Sequence, residues 1–192
     1  MQEIFAIVSA VLILIAAPPY IINTLKGNTK PERVTWFIFS VLGLIAFVSQ
    51  ALLGASWSLV FSGLDTLASI LIFSLSLKYG VGGHTKIDIA ALIIATIGVF
   101  IAVFAKEPII SLLGVIIADI SGMVLTIKKT YLNPKSETTI TWLLVGTASV
   151  FGILSASEMT VGILLYPVYL MIANYSVPLA QLIGIRKTTK TP

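Results

Sequence analysis

Asp65 and Asp119 each fall near the middle of a long apolar run, and Asn174 falls inside a third. A charge at the centre of a bilayer costs ~2.5 to 3.5 kcal/mol on insertion scales, so ionisable groups there face a bundle interior or a water-filled cavity. An aspartate in that position accepts hydrogen bonds, attracts cations, or takes up a proton. No Lys or Arg lies in the middle of any of these runs, which leaves a proton, water or a bound cation to stabilise each carboxyl. The competing reading is a neutral carboxyl bonded to nearby serines as an interhelical contact.

Spacing joins these residues to others. Ser58, Ser62, Asp65, Ser69 and Ser76 recur at steps of three, four or seven, which gathers them into one polar stripe on an apolar helix. Ser111, Asp119, Gly122 and Thr126 share a face in the same way, and Gly122 would let a neighbouring helix or a ligand come close. Asn174 aligns with Pro167, Met171, Pro178 and Gln181. The expected solute contacts are therefore Asp65, Asn174, Asp119, Ser62 and Ser69. Pro18 and Pro19 break the backbone ladder inside a run, and with Tyr20 they form the expected gate or hinge. Pro167 and Pro178 are read as static kinks, and Tyr166, Tyr169 and Tyr175 as packing residues. Glu3, Glu32, Glu107, Glu158, Asp88 and Glu137 stand at helix ends or beside loops and are expected to meet water. His84 is expected to be solvated, and Trp36, Trp142 and Trp57 to be interfacial anchors.

The elements that must position these residues are membrane spans. The chain has 192 residues, 57% hydrophobic and 10% charged, against roughly 25% charged in soluble domains. A spanning helix needs ~20 apolar residues. Seven such runs occur, at about Glu3 to Leu25, Arg33 to Gly54, Ser56 to Leu77, Ile87 to Ala105, Pro108 to Ile127, Thr139 to Ala156 and Thr160 to Ile185. The expected fold is an all-α membrane protein of seven transmembrane helices. Every Lys and Arg except Lys106 falls on one side of that arrangement, which puts the N-terminus outside and the C-terminus in the cytoplasm. These cations are spread over membrane-proximal segments rather than one stripe, so nucleic acid is not an expected partner. Met-Gln-Glu lacks the basic start of a secretory signal, so the first helix is expected to stay in the protein. With no cysteine, disulfides and thiolate metal sites are excluded.

Thr24-Leu25-Lys26 followed by Val34-Thr35-Trp36 recurs as Thr126-Ile127-Lys128 followed by Ile140-Thr141-Trp142. Both copies cross a basic loop, so an odd helix must lie between two three-helix units to keep them parallel. Ile87 to Ala105, apolar apart from Thr96 and Asp88, is expected to be that linker, facing lipid. The chain thus divides as 1–80, a first three-helix repeat; 81–106, the linker helix; and 107–192, a second repeat, in a 3+1+3 order. Aligned by the repeat, Asp65 falls opposite Asn174.

Pro19-Tyr20-Ile21-Ile22-Asn23-Thr24-Leu25-Lys26 resembles the signature of the SWEET, SemiSWEET and PQ-loop transporters, with Tyr20 where the signature has glutamine. The second copy has Leu125, not proline, before Thr126-Ile127-Lys128-Lys129. Ala118-Asp119-Ile120-Ser121-Gly122 and Asn133-Pro134-Lys135-Ser136-Glu137 are similar to prokaryotic relatives of that group. The resemblance implies alternating access between two triple-helix bundles, a small polar solute with sugar as the first guess, and a substrate-holding role for Asn174 and Asp65. It leaves proton coupling and homo-oligomerisation open, needs no cofactor and no metal, and places the chain among lipids of a prokaryotic cytoplasmic (inner) membrane. The alternative is a non-transporting receptor or scaffold that binds a protein through its cytoplasmic loops. An intramembrane enzyme is not expected, because no span holds a histidine, Gly-x-Ser-x-Gly elbow or His-Glu-x-x-His motif. A retinal protein would need a lysine within the seventh span, which has none.

Overall fold

The computed structural model describes residues 1–52, 57–156 and 159–188, without the side chains of 46, 49–52, 57–62, 64, 65, 108, 163 and 188. It is all-helical, with seven α-helices: α1 Gln2–Leu25, α2 Arg33–Leu52, α3 Trp57–Tyr79, α4 Lys86–Phe104, α5 Pro108–Leu132, α6 Thr139–Leu154 and α7 Val161–Thr188. Four stretches are long and apolar enough to cross a membrane: Gln2–Leu25, Lys86–Phe104, Ile109–Leu132 and Leu164–Lys187. The fifth helix runs past the expected end at Ile127. Thr126 and Thr130 continue its ladder, Thr130 Oγ1 donating to the Thr126 carbonyl at 2.7 Å, and it stops only at Asn133, the residue that Pro134 bars from helical geometry. Pro134–Ser136 then forms one 3₁₀ turn before α6.

The helices gather into two compact units. One holds Met1–Thr29 and Thr126–Pro192, the other Lys30–Leu125. The first unit thus holds α1, α6, α7 and the end of α5, and the second holds α2, α3, α4 and most of α5.

In the first unit α1 packs along α6, and α6 along α7. Small and polar side chains make this possible. Ser9 Oγ donates to the Ala148 carbonyl at 2.8 Å and Thr141 Oγ1 to the Ala16 carbonyl at 2.8 Å, while Gly146 lies directly under the Tyr175 ring. In the second unit Val34, Ile38, Ala91, Ala95, Ala118 and Leu125 form one core drawn from α2, α4 and α5. A Cβ on Gly98 would come within 2.6 Å of the Gly114 carbonyl, and a Cβ on Gly114 within 2.5 Å of the Ala102 amide. The backbones of α4 and α5 therefore touch, and Ser111 Oγ ties them by donating to the Ala102 carbonyl at 2.5 Å. Helix α4, expected to be a linker facing lipid, is exposed on one side only: Asp88, Ala91, Ala95 and Gly98 are buried, whereas Ile93, Ile97, Phe100 and Phe104 are exposed.

Burial follows size and polarity in the reverse of a water-soluble core. Threonines 24, 29, 35, 126 and 130 are almost wholly enclosed, while isoleucines and leucines of α1, α4 and α5 point outward. Replacing Gly98 by leucine should overpack the α4–α5 contact and cost about 1 to 3 kcal/mol. Thermal unfolding in detergent, followed by tryptophan fluorescence, should show a lower midpoint for Gly98→Leu and little change for Ile97→Ala on the exposed face.

Candidate functional site: a carboxylate latch at the end of α1

The first unit is fastened around one carboxylate. Glu137, just ahead of α6, is 7% exposed. Its Oε1 accepts from the Tyr20 hydroxyl at 3.1 Å and pairs with the Lys129 ammonium; its Oε2 accepts from Trp142 Nε1 at 2.8 Å. The rings of Tyr20 and Trp142 meet edge to face at 6.3 Å. Helices α1, α5 and α6 thus each send one donor to the same group, which satisfies a carboxylate that has no side-chain surface in contact with solvent. The adjacent Thr138 hydroxyl takes a hydrogen bond from Asn23 Nδ2 at 3.2 Å and meets the Thr29 hydroxyl. On the far side, Gln181 Nε2 donates to the Pro134 carbonyl at 2.6 Å and Gln181 Oε1 accepts from Thr139. Gly184 is close against the Tyr131 carbonyl and Pro134, which binds α7 to the same loop.

The second unit uses a guanidinium at the equivalent place. Arg33, first residue of α2, donates from Nε to the Ser76 carbonyl at 3.0 Å and from its two terminal nitrogens to the Gly82 and Gly80 carbonyls, each at 2.8 Å. This fork caps the C-terminus of α3, where carbonyls lack helical partners. Two backbone bonds complete the clasp: Arg33 N–H to Val81 O and Val81 N–H to Pro31 O, both 2.9 Å. Gly82 sits at φ +82° with Glu32 against it, so any side chain there would be strained and would collide. Glu32 caps α2, its Oε2 accepting from the Thr35 amide at 2.7 Å and the Thr35 hydroxyl at 2.9 Å. Asp88 Oδ2 accepts the amides of Gly83, His84 and Thr85 at 2.8, 2.9 and 2.9 Å, and Thr85 returns a capping-box bond to α4.

Several expectations about water contact are overturned. Glu32, Asp88 and Glu137 are 3%, 4% and 7% exposed, because backbone amides and buried donors replace the water they were expected to meet. Trp36 and Trp142 are buried rather than spread at an interface, and Trp142 spends its N–H on Glu137. His84 is exposed, but its backbone amide belongs to the Asp88 cap.

Of the expected solute contacts, Asn174, in the first unit, is 4% exposed and donates back to the Leu170 carbonyl at 2.8 Å. Asp119 and Ser69, in the second unit, are 6% and 8% exposed, and Asp119 is not without a partner. The side chains of Asp65 and Ser62 lie outside the described residues. The expected gate residues Pro18, Pro19 and Tyr20 belong to the first unit, and Tyr20 is fully buried against Glu137. The sequence offered a sign of the latch that hydropathy passes over: an acidic residue stands four or five positions ahead of the tryptophan of each repeated Thr-Trp.

Removing one partner from a buried pair leaves an uncompensated charge, which costs about 3 to 5 kcal/mol. Lys129→Ala should therefore destabilise most, and Tyr20→Phe less, by about 1 to 3 kcal/mol for one hydrogen bond to a charged acceptor. The combined Lys129→Met and Glu137→Gln variant should regain much of the loss. Chemical denaturation of the four proteins checks this order. Comparison of the chain with protein-family models, curated proteins and solved structures found no match.

Proposed function

We propose that this chain is an integral membrane transporter that passes a small polar solute by alternating access, with the end of α1 as its gate. The observation that carries this reading is the bond from Tyr20 to Glu137, made by the first residue after Pro18-Pro19. A helix that has lost two backbone donors bends there readily, and a single phenolic hydrogen bond is a fastening that can open and close.

Two further features support it. Ile4, Ile7 and Val11 of α1, Ile93, Ile97 and Phe100 of α4, and Ile109, Leu113 and Ile117 of α5 are exposed. So large an apolar surface would be unfavourable in water and costs nothing in hydrocarbon. On α7, α5 and α3, Asn174, Asp119 and Ser69 are enclosed, which is where a membrane protein keeps its solute-handling polar groups. The likeness of Pro19 to Lys26 to the signature of SWEET and PQ-loop transporters makes a hydroxyl-rich solute the first guess. The carboxyl of Asp119 would equally serve an amine or a co-transported proton.

Purified protein should be screened by thermal shift against sugars, amino acids, amines and nucleosides over a range of pH, since a ligand of the folded state stabilises it by mass action. The stabilising class should then exchange across proteoliposomes. Asp119→Asn or Asn174→Ala should lower that exchange about tenfold, the effect of losing ~1.4 kcal/mol of interaction, while Ile97→Ala leaves it intact. If no solute stabilises the protein and a protein partner instead co-purifies through 26–33 or 128–137, the chain is a scaffold and the reading fails.

A further inference from the structure

We infer that the gating motion is one-sided: the segment from Tyr20 to Thr29 swings about Pro18-Pro19 within the first unit, and the corresponding clasp of the second unit stays closed throughout. The purpose of the motion rests on the transporter reading; the motion itself does not.

The two units fasten their helix ends by different chemistry. Beyond Pro19, side-chain hydrogen bonds of Tyr20, Asn23 and Thr29 end on two neighbouring residues, Glu137 and Thr138, and the Tyr20 ring leans on Trp142 a turn further on. The segment can therefore leave as one body by breaking contacts to the stretch 137–142. Glu137 keeps Lys129 and Trp142 when Tyr20 departs, so release does not strand a bare carboxylate. Before the prolines, α1 stays anchored by the bonds of Ser9 to Ala148 and Thr141 to Ala16. The closed position also carries a defect, because the Thr24 hydroxyl is fully buried with no hydrogen-bond partner among the described residues. An unsatisfied buried group disfavours the state that contains it, and moving Thr24 to water relieves it.

The paired-proline hinge has no counterpart in the second unit. Between Ile109 and Leu132 there is no proline, and the Gly122 carbonyl, at the place where α1 has Tyr20, takes a 2.5 Å bond from the Thr35 hydroxyl. The α2 end is held by a guanidinium on three carbonyls and by two backbone bonds. These link three segments at once, and no single side chain releases them.

The chain contains no cysteine, so introduced cysteine pairs can carry spin labels without background. Leu25→Cys with Ile140→Cys reports the first unit, and Leu77→Cys with Val124→Cys the second; all four positions are exposed. In lipid vesicles the first pair should show two distances and the second pair one. Tyr20→Phe should raise the longer-distance population about fivefold, the shift given by one hydrogen bond near 1 kcal/mol. Thr24→Val, which removes the orphaned hydroxyl, should move the balance the other way, and Pro18→Ala with Pro19→Ala should leave the short distance alone. Asn23→Ala, which removes a part-buried bond of the same segment to Thr138, repeats the opening test should Tyr20→Phe fail to fold.

A single unchanging distance for the first pair across these variants, or two distances for the second pair, overturns the inference. Two distances in the first pair without flux of any solute would leave one-sided motion standing and remove the transporter reading. Flux with a static first pair would do the reverse.

Discussion

A carboxylate shut away from water must be given donors by the protein, and three such groups organise the helix ends of this chain. Glu137 takes its donors from three helices, Asp88 from three consecutive amides, and Glu32 from the first turn of the helix it caps. Each solution fixes a turn. The Asp88 cap shapes the glycine loop between α3 and α4, and that loop presents the carbonyls which Arg33 grips. The Glu137 cluster sets how α5 hands over to α6, with Tyr20 and Lys129 sharing the same carboxylate oxygen.

Close helix approach is the second constraint, and it is met with small residues. Where apolar solvent surrounds the helices, large side chains gain nothing by turning inward, and contact is won by letting backbones meet. Gly98 against Gly114, Gly146 under Tyr175 and Gly122 beside Thr35 are all of this kind. Threonines add directed bonds at the same places, as Thr141 does to Ala16 and Thr35 to Gly122.

Hydropathy made the seven helices legible, because a run of about twenty apolar residues has few other fates. The end of α5 was less so: Lys128 and Lys129 looked like a loop, yet basic residues extend a helix readily until a proline forbids it. Helix partners were not legible at all. The repeat correctly pairs Thr35-Trp36 with Thr141-Trp142 as helix starts, but nothing in the order of residues says that α1 packs along α6. Glu137 escaped notice for a related reason. A place beside a loop predicts contact with water, whereas Tyr20, remote in sequence, and Trp142, a turn into α6, close over it.

The packing of α1 along α6 bears on how the chain is made. Helix α1 leaves the ribosome well before α6, along which it packs. For most of synthesis α1 waits in the bilayer with its serine, threonine and paired-proline face unclaimed, relying on lipid, passing helices or an insertion factor. Contacts so distant in sequence form slowly. A chain released early, before Trp142 and Glu137 exist, would expose that face indefinitely and present a recognisable mark of incompleteness to whatever machinery clears unfinished proteins from the membrane.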